Sequence, residues 1–200
     1  MLPRTIKKRI YFYLNRIKFT LLSTRIGKGA SICCKAYLQI HKNGTLYIGD
    51  NFHLTSGESI NPLSRNIRAC ICVERPNSSI EIGNNVGISS ACIWAKEKIV
   101  IGDYVNIGAD TIIMDSDAHS LNWRDRASRE LIDGGYIDIA NAKTSPIYIE
   151  DHVLIGTRCI ILKGVRIGSR SIIAAGSVVT KNIPSDCIAG GNPCRVIKYL

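Results

Sequence analysis

Ile149-Glu-Asp-His-Val-Leu-Ile155-Gly-Thr-Arg-Cys-Ile-Ile161-Leu-Lys-Gly-Val-Arg-Ile167-Gly-Ser-Arg-Ser-Ile-Ile173-Ala-Ala-Gly-Ser-Val-Val179 is the stretch whose reading decides the fold. An aliphatic residue stands at every sixth position: Ile149, Ile155, Ile161, Ile167, Ile173 and Val179. The fifth position of each hexad is small or β-branched: Val153, Cys159, Val165, Ser171 and Ser177. A period of six fits neither an α-helix nor an isolated alternating strand. It fits a chain that turns after each short strand, so that three strands close one triangular coil of about 18 residues. The first-position aliphatic points into the prism and stacks on its equivalent one coil away, and parallel ladders hold the coils about 4.8 Å apart. Gly at the second position is expected to supply turn conformations that other residues resist. One coil cannot bury its own face, so stability requires a stack.

Working outward, the same grammar recurs at Ile101-Gly102, Ile82-Gly83, Ile48-Gly49 and Ile26-Gly27. The spacing between these markers locates interruptions. Ile149 to Ile167 is 18 residues, one coil, and Ile82 to Ile101 is 19. Ile101 to Ile149 is 48, one coil plus 30, and Ile48 to Ile82 is 34, one coil plus 16. An insertion of roughly 30 residues therefore leaves the prism after Ile113 and returns near Ile147. Long loops in a compact repeat usually carry function. This one holds Asp115, Asp117, His119, Trp123, Arg124, Asp125, Arg126, Arg129 and Glu130.

The chain thus divides into a basic amphipathic helix (1–24), a β-helix (25–184) with an inserted loop at about 114–146, and a tail (185–200) expected to fold back over the last coil. In the helix, Ile6, Ile10, Tyr13, Leu14, Ile17 and Leu21 follow 3–4 spacing among Lys7, Lys8, Arg9, Arg16 and Lys18. Two readings follow: a cap over the open end of the solenoid, or contact with a membrane surface.

Composition is that of an ordinary globular chain, 46% hydrophobic and 21% charged, in 200 residues. No apolar run is long enough for a transmembrane helix, and no secretory signal is legible, so the expected location is cytoplasmic. The eight cysteines form no CxxC pair and are expected to be reduced core thiols. A net charge of +10 favours an anionic partner. No basic/aromatic module of recognised pattern is present, so nucleic acid is not expected. P-loop, GxSxG and GxGxxG patterns are absent in workable form. No three imidazoles are spaced for a zinc site, so no metal is expected.

Of the four histidines, His41 sits near a turn, and His53 and His152 fall at hexad positions that face outward. His119 is different. It lies in the insertion within Asp115-Ser116-Asp117-Ala118-His119-Ser120, where a neighbouring carboxylate can fix its tautomer and suit it to general-base work.

The hexads, the long loop with Asp-x-His, and Ile172-Ile-Ala-Ala-Gly-Ser-Val-Val-Thr-Lys-Asn-Ile-Pro184 followed by Gly191-Asn-Pro-Cys-Arg-Val-Ile197 together carry a resemblance. Over residues 26–200 the chain resembles the hexapeptide-repeat acyltransferases, in particular the maltose/galactoside O-acetyltransferase branch and sugar O-acetyltransferases of surface-polysaccharide synthesis. The resemblance implies an all-β, left-handed parallel β-helix, an exception to right-handed crossovers. It also implies a homotrimer with acetyl-CoA between neighbouring prisms, and direct transfer to a sugar hydroxyl with His119 as base and Asp117 or Asp115 orienting the ring. Carried over residue by residue, the CoA contacts are Thr157, Ala175, Thr180 and Lys181, with Arg195 and Lys198 meeting its phosphates. The acceptor side is assigned to Ser89 and Ser90, near where the sugar acetyltransferases place an Asn, together with Trp123 and Arg124. Leu154 stands where the family often has Trp. The basic helix suits a lipid-linked or polymeric glycan acceptor at the inner membrane face. Alternatives on the same prism are N-acetylation of a nucleotide-linked amino sugar, serine O-acetylation, and a non-enzymatic β-helical scaffold.

Overall fold

The computed structural model describes residues 4–22, 25–57, 61–132 and 135–200. Three parallel sheets form the faces of a prism. The first face stacks Arg25–Ile26, Thr45–Ile48, Ser79–Ile82, Lys98–Ile101, Ile147–Ile149 and Arg166–Ile167. The second runs from Ser31–Cys33 through Gly87–Ser89, Asn106–Ile107 and Leu154–Ile155 to Ile172–Ile173. The third runs from Tyr37–Ile40 through Cys70–Val73, Cys92–Ala95 and Ile112–Met114 to Ile160–Leu162 and Val178–Val179. The coils wind as a left-handed β-helix.

Register follows the hexad markers. Ile26 pairs with Ile48, Ile48 with Ile82, Ile82 with Ile101, Ile101 with Ile149, and Ile149 with Ile167. The coil of 48 residues is therefore one turn with an excursion, as the spacing predicts. First- and fifth-position side chains both point inward: Ile149, Ile155, Ile161, Val153, Cys159, Val165, Ser171 and Ser177 are all buried. Each fully buried Ile contributes about 1.5–3 kcal/mol relative to exposure, and the stack makes one continuous core. Cys72, Cys159, Cys187 and Cys194 are buried in it, whereas Cys33, Cys34, Cys70 and Cys92 are only half-buried, so the expectation of core thiols holds for half of them.

Glycine at the second hexad position works differently from the sequence expectation. The left-handed backbone lies at the fourth position instead, at Asn51, Asn85, Tyr104, Asp110, His152, Arg158, Gly164, Arg170 and Gly176. The second-position glycines are selected by contact with the next coil. A Cβ on Gly156 would stand 2.5 Å from the Ala175 amide nitrogen, and one on Gly108 2.6 Å from the Gly156 carbonyl carbon. Along the edge between the first and second faces, the third-position side chain of each coil fills the vacated space. Asp50 Oδ1 accepts from Lys28 N at 2.7 Å, Asn84 Oδ1 from Asp50 N at 2.8 Å, Asp103 Oδ1 from Asn84 N at 2.6 Å, and Asp151 Oδ1 from Asp103 N at 2.8 Å.

The tail adds strands rather than only covering the end. Cys187–Gly190 joins the second face in parallel and Arg195–Tyr199 returns antiparallel to it. At the other end, helix Arg4–Leu21 closes the prism through Phe19, which enters the core. Asn15 Nδ2 donates to Cys34 O at 2.8 Å, and Lys18 Nζ donates to Ala36 O at 3.3 Å. The 3–4 stripe itself is not the capping face: Ile6, Ile10, Tyr13, Leu14, Ile17 and Leu21 are all exposed. Asn15 and Lys18 supply donors to carbonyls of the first coil, and Phe19 supplies the hydrocarbon that closes the core. Residues 1–3 and 23–24 lie outside the described residues, as do the side chains of Lys7, Lys8 and Arg16.

Candidate active site

The insertion leaves the edge between the third and first faces after Met114 and rejoins at Ile147. Its base is clamped to the coils on both sides. Asp115, fully buried, accepts from Lys96 N at 2.7 Å and Glu97 N at 2.8 Å, both in the preceding coil. Burial pushes the Asp115 carboxyl up, and the amides it caps pull it back down. Asp117 Oδ1 pairs with Lys163 Nζ of the following coil at 3.0 Å. The two arms meet through the Ser116–Thr144 bridge and Ser145 N donating to Asp115 O at 2.9 Å.

Above this base Ala118 takes a left-handed φ of 61°, and His119 N donates to Asp117 O at 2.7 Å. This turn lifts the imidazole off the prism, leaving its side chain 63% exposed. Its Nδ1 lies 2.6 Å from Asp138 Oδ2. Asp138 is on the short helix Ile137–Ala140, and its other oxygen accepts from Ser120 N at 2.9 Å. Hydrogen bonding from His119, then from the Ser120 amide, holds the Asp138 carboxyl below the usual carboxylate range. The carboxylate in contact with the imidazole is therefore Asp138. The expectation for Asp117 or Asp115 is corrected, because both are committed to the loop base.

The rest of the loop holds this pair in place. Asp125 accepts from Ser120 Oγ at 2.7 Å, Asn141 Nδ2 at 2.9 Å and Asn122 Nδ2 at 3.1 Å. Asn122 also caps helix Trp123–Ala127 through Arg124 N at 3.1 Å. Arg75 reaches from an earlier coil to donate to Ile139 O at 2.6 Å, one residue beyond Asp138. None of Asp138, Asp125 or Arg75 was expected at the site from sequence. Trp123 is exposed with the Arg124 guanidinium 4.8 Å over its ring, so the pair presents an aromatic and cationic platform on the loop surface.

The other sequence-named residues fall on two further parts of the prism. Ser90, Asp110, Thr157 and Gly176 form a column along the edge between the second and third faces. Asp110 N donates to Ser90 O at 3.3 Å, Arg158 N to Ala109 O at 2.8 Å, and Gly176 N to Thr157 O at 2.8 Å. Ser89 and Thr157 also line a shallow groove of about 350 Å³ on the second face, beside His53 and Asn106. Ser90 is buried and accepts from Gly57 N at 2.9 Å, whereas Ala175 is exposed and a Cβ on Gly176 would meet nothing within 4 Å. The upper part of this edge is thus open to an extended ligand. Thr180 and Lys181 are exposed on the same edge as the insertion, and Arg195 and Lys198 are exposed on the final strand. So the structure brings Ser89 and Ser90 together with Thr157 and Ala175, and places His119 on a different edge. His152 stacks on Tyr104 with ring centroids 4.9 Å apart. Among the described residues no cluster of metal-ligating side chains occurs.

Comparison with known proteins agrees with this architecture. Residues 146–181 match the family model described as hexapeptide repeat of succinyl-transferase. A 2,3,4,5-tetrahydropyridine-2,6-dicarboxylate N-acetyltransferase of Staphylococcus aureus (strain Newman) is 52% identical over 54 residues, 27% of this chain. That match spans 23% of the relative's length. A hexapeptide-repeat acetyltransferase from Vibrio cholerae O1 biovar eltor, solved with acetyl coenzyme A, is 26% identical with a TM-score of 0.53, covering 94% of this chain and 78% of that one. A maltose O-acetyltransferase from Clostridium difficile 630 shares the fold at 24% identity and a TM-score of 0.55, covering 98% of this chain and 83% of that one. The fold is a left-handed β-helix, and residues 146–181 carry the matched hexapeptide repeat. Its structural neighbours include hexapeptide-repeat acetyltransferases, a maltose O-acetyltransferase and an N-acyltransferase from Bacillus cereus.

Proposed function

We propose that this protein transfers an acetyl group from acetyl-CoA to a sugar hydroxyl, using a site completed between copies of the chain in a homotrimer. The observation that carries the reading is the exposed His119 imidazole held by Asp138 at 2.6 Å on the inserted loop. An ionised Asp138 accepts a hydrogen bond from Nδ1–H, so the lone pair resides on Nε2, the state a general base requires. Acetyl-CoA, when bound, supplies an acetyl group activated as a thioester. His119 Nε2 takes the proton of the acceptor hydroxyl as that oxygen forms its bond to the acetyl carbon. The carbon–sulfur bond breaks, and His119 returns the proton to the departing thiolate. The imidazole ends neutral and no acyl-enzyme forms.

The residues present fit the donor. Ala175 and Gly176 leave open space on the coil edge for a slender arm, while Lys181, Arg195 and Lys198 are exposed cations suited to phosphates. Because His119 and the Thr157–Ala175 edge occupy different edges of one prism, a neighbouring copy supplies the second wall. Trp123 and Arg124 face the acceptor, a flat aromatic surface suiting the apolar face of a sugar ring. A role in surface-polysaccharide synthesis, with the protein in the cytoplasm, fits such an acceptor.

N-acetylation of an amino group is the second reading, supported by the 52% identity to an N-acetyltransferase within the aligned segment. Incubating the purified protein with acetyl-CoA and a panel of saccharides and nucleotide-linked amino sugars, with thiol release as the readout, tests both. Product NMR distinguishes ester from amide. Turnover only with amines overturns the O-transfer reading, and wild-type turnover by His119→Ala overturns the mechanism.

A further inference from the structure

We propose that the outward stripe of the N-terminal helix docks this protein on an anionic lipid bilayer surface. Unlike an ordinary surface helix, this one leaves an aliphatic stripe facing out, while among the described side chains Asn15 and Lys18 turn toward the protein beside Phe19. Asn15 and Lys18 donate to carbonyls of the first coil, and Phe19 enters the core. On the opposite side Ile6, Ile10, Leu14, Ile17 and Leu21, joined by Tyr13, are 43–78% exposed. Three to four turns of aliphatic side chains on one side of a helix form a contiguous apolar strip, the kind of exposure that marks an interaction surface.

Charge selects the occupant. Residues 1–24 contain six basic residues and no acidic one. An apolar stripe on a basic helix matches the boundary between lipid headgroups and acyl chains, where each Lys or Arg near an anionic surface adds favourable binding energy. A second copy of the same helix would set like charges against one another. Spanning the bilayer is not available to this helix, since among the described residues no helix is long and apolar enough. It would therefore lie in the plane of the surface with the prism standing away from it. This inference is independent of the acetyl-transfer reading.

The test is co-sedimentation of the full chain with vesicles of phosphatidylcholine alone and with phosphatidylglycerol added. Binding is expected to the phosphatidylglycerol vesicles and to weaken as salt rises. Ile10→Asp combined with Ile17→Asp should lower the apparent partition at least about tenfold, since two aliphatic anchors are lost. Melting temperature and solution mass should not change, because both side chains are exposed and neither belongs to the core. Arg9→Glu should reduce the preference for the anionic vesicles. The proposal is overturned by no binding to anionic vesicles, by equal binding of wild type and the double variant, or by equal binding to neutral vesicles. It is also overturned if the double variant has a smaller solution mass, which would make the stripe a contact between copies.

Discussion

Replacing Asp138 with Asn separates the orienting role from loop architecture, because the two carboxylate oxygens have different partners. Oδ2 faces His119 Nδ1 at 2.6 Å, and Oδ1 accepts from Ser120 N at 2.9 Å. An amide cannot reproduce both. With its oxygen kept on the Ser120 amide, its NH₂ points at Nδ1 and drives the ring proton to Nε2, removing the lone pair that accepts the substrate proton. With the amide flipped, the imidazole is served, but the NH₂ faces the Ser120 N–H, which then keeps only the Asp138 backbone carbonyl at 2.9 Å. A positioned general base is worth about 10²–10⁴-fold, and a ring in the wrong tautomer forfeits much of that, so kcat should fall by about 100-fold. The KM for acetyl-CoA should change by less than about threefold, since only the proton-transfer step is affected. The assay is thiol release from acetyl-CoA with saturating acceptor, beside a thermal melt confirming that the fold persists. In a cycle with His119→Ala, the double variant should be no slower than His119→Ala alone, because the carboxylate acts only through the ring. A kcat within about threefold of wild type, or additive losses in that cycle, would refute the argument.

Lys181→Ala and Arg195→Ala should each raise the KM for acetyl-CoA with little change in kcat; a change confined to the acceptor KM would remove these two cations from the CoA contacts. Gly156→Ala should be far more destabilising than Gly176→Ala in thermal melts. The first would set a Cβ 2.5 Å from the Ala175 nitrogen in the next coil, whereas the second meets no atom within 4 Å and carries only the strain of φ +75°, about 1–2 kcal/mol. Equal losses would mean that coil spacing is softer than the contacts imply. The fork from Arg170 Nε and Nη2 to Asp186, at 2.5 and 2.6 Å, holds that carboxyl below its ordinary value. A depressed carboxylate stabilises above its unfolded pKa of about 4, and the contribution is lost as pH falls through the lower folded value. Asp186→Asn should therefore flatten the decline of melting temperature below about pH 4, as read by differential scanning fluorimetry.

The prism was legible because one rule repeats: a single Ile149-to-Val179 run gave the strand length, the inward positions and, through missing multiples, the place where the loop departs. The loop's internal wiring was not. Asp138 is 19 residues beyond His119 in sequence and reaches it only because helix Ile137–Ala140 folds back beneath the imidazole. Asp117 sits nearer in sequence but is drawn down to Lys163, a residue whose relevance depends on coil stacking. The N-terminal helix shows a related gap. Its 3–4 stripe predicts a helix correctly, but periodicity does not say which side meets the protein, and here Asn15 and Lys18 meet carbonyls of the first coil. Left-handed backbone at Tyr104, His152 and Arg158 was equally hidden, since sequence reading associates that conformation with Gly and Asn.

The chain of side-chain acceptors Asp50, Asn84, Asp103 and Asp151 runs up only one edge of the prism, and neither insertion interrupts that edge. From Ile26 to Ile32, Ile48 to Leu54, Ile82 to Ile88, Ile101 to Ile107 and Ile149 to Ile155, the corner keeps the same span of six. It serves as a spine that fixes the alignment of each new layer on the last, since a slip of one residue would drive a side chain into a place that only glycine leaves free. The other two edges carry no such run of side-chain acceptors among the described residues, though Gly108 and Gly156 still bring successive coils close on one of them. They are where new loops can be grafted, and where a scaffold of this kind can acquire a different chemistry without relearning how to fold.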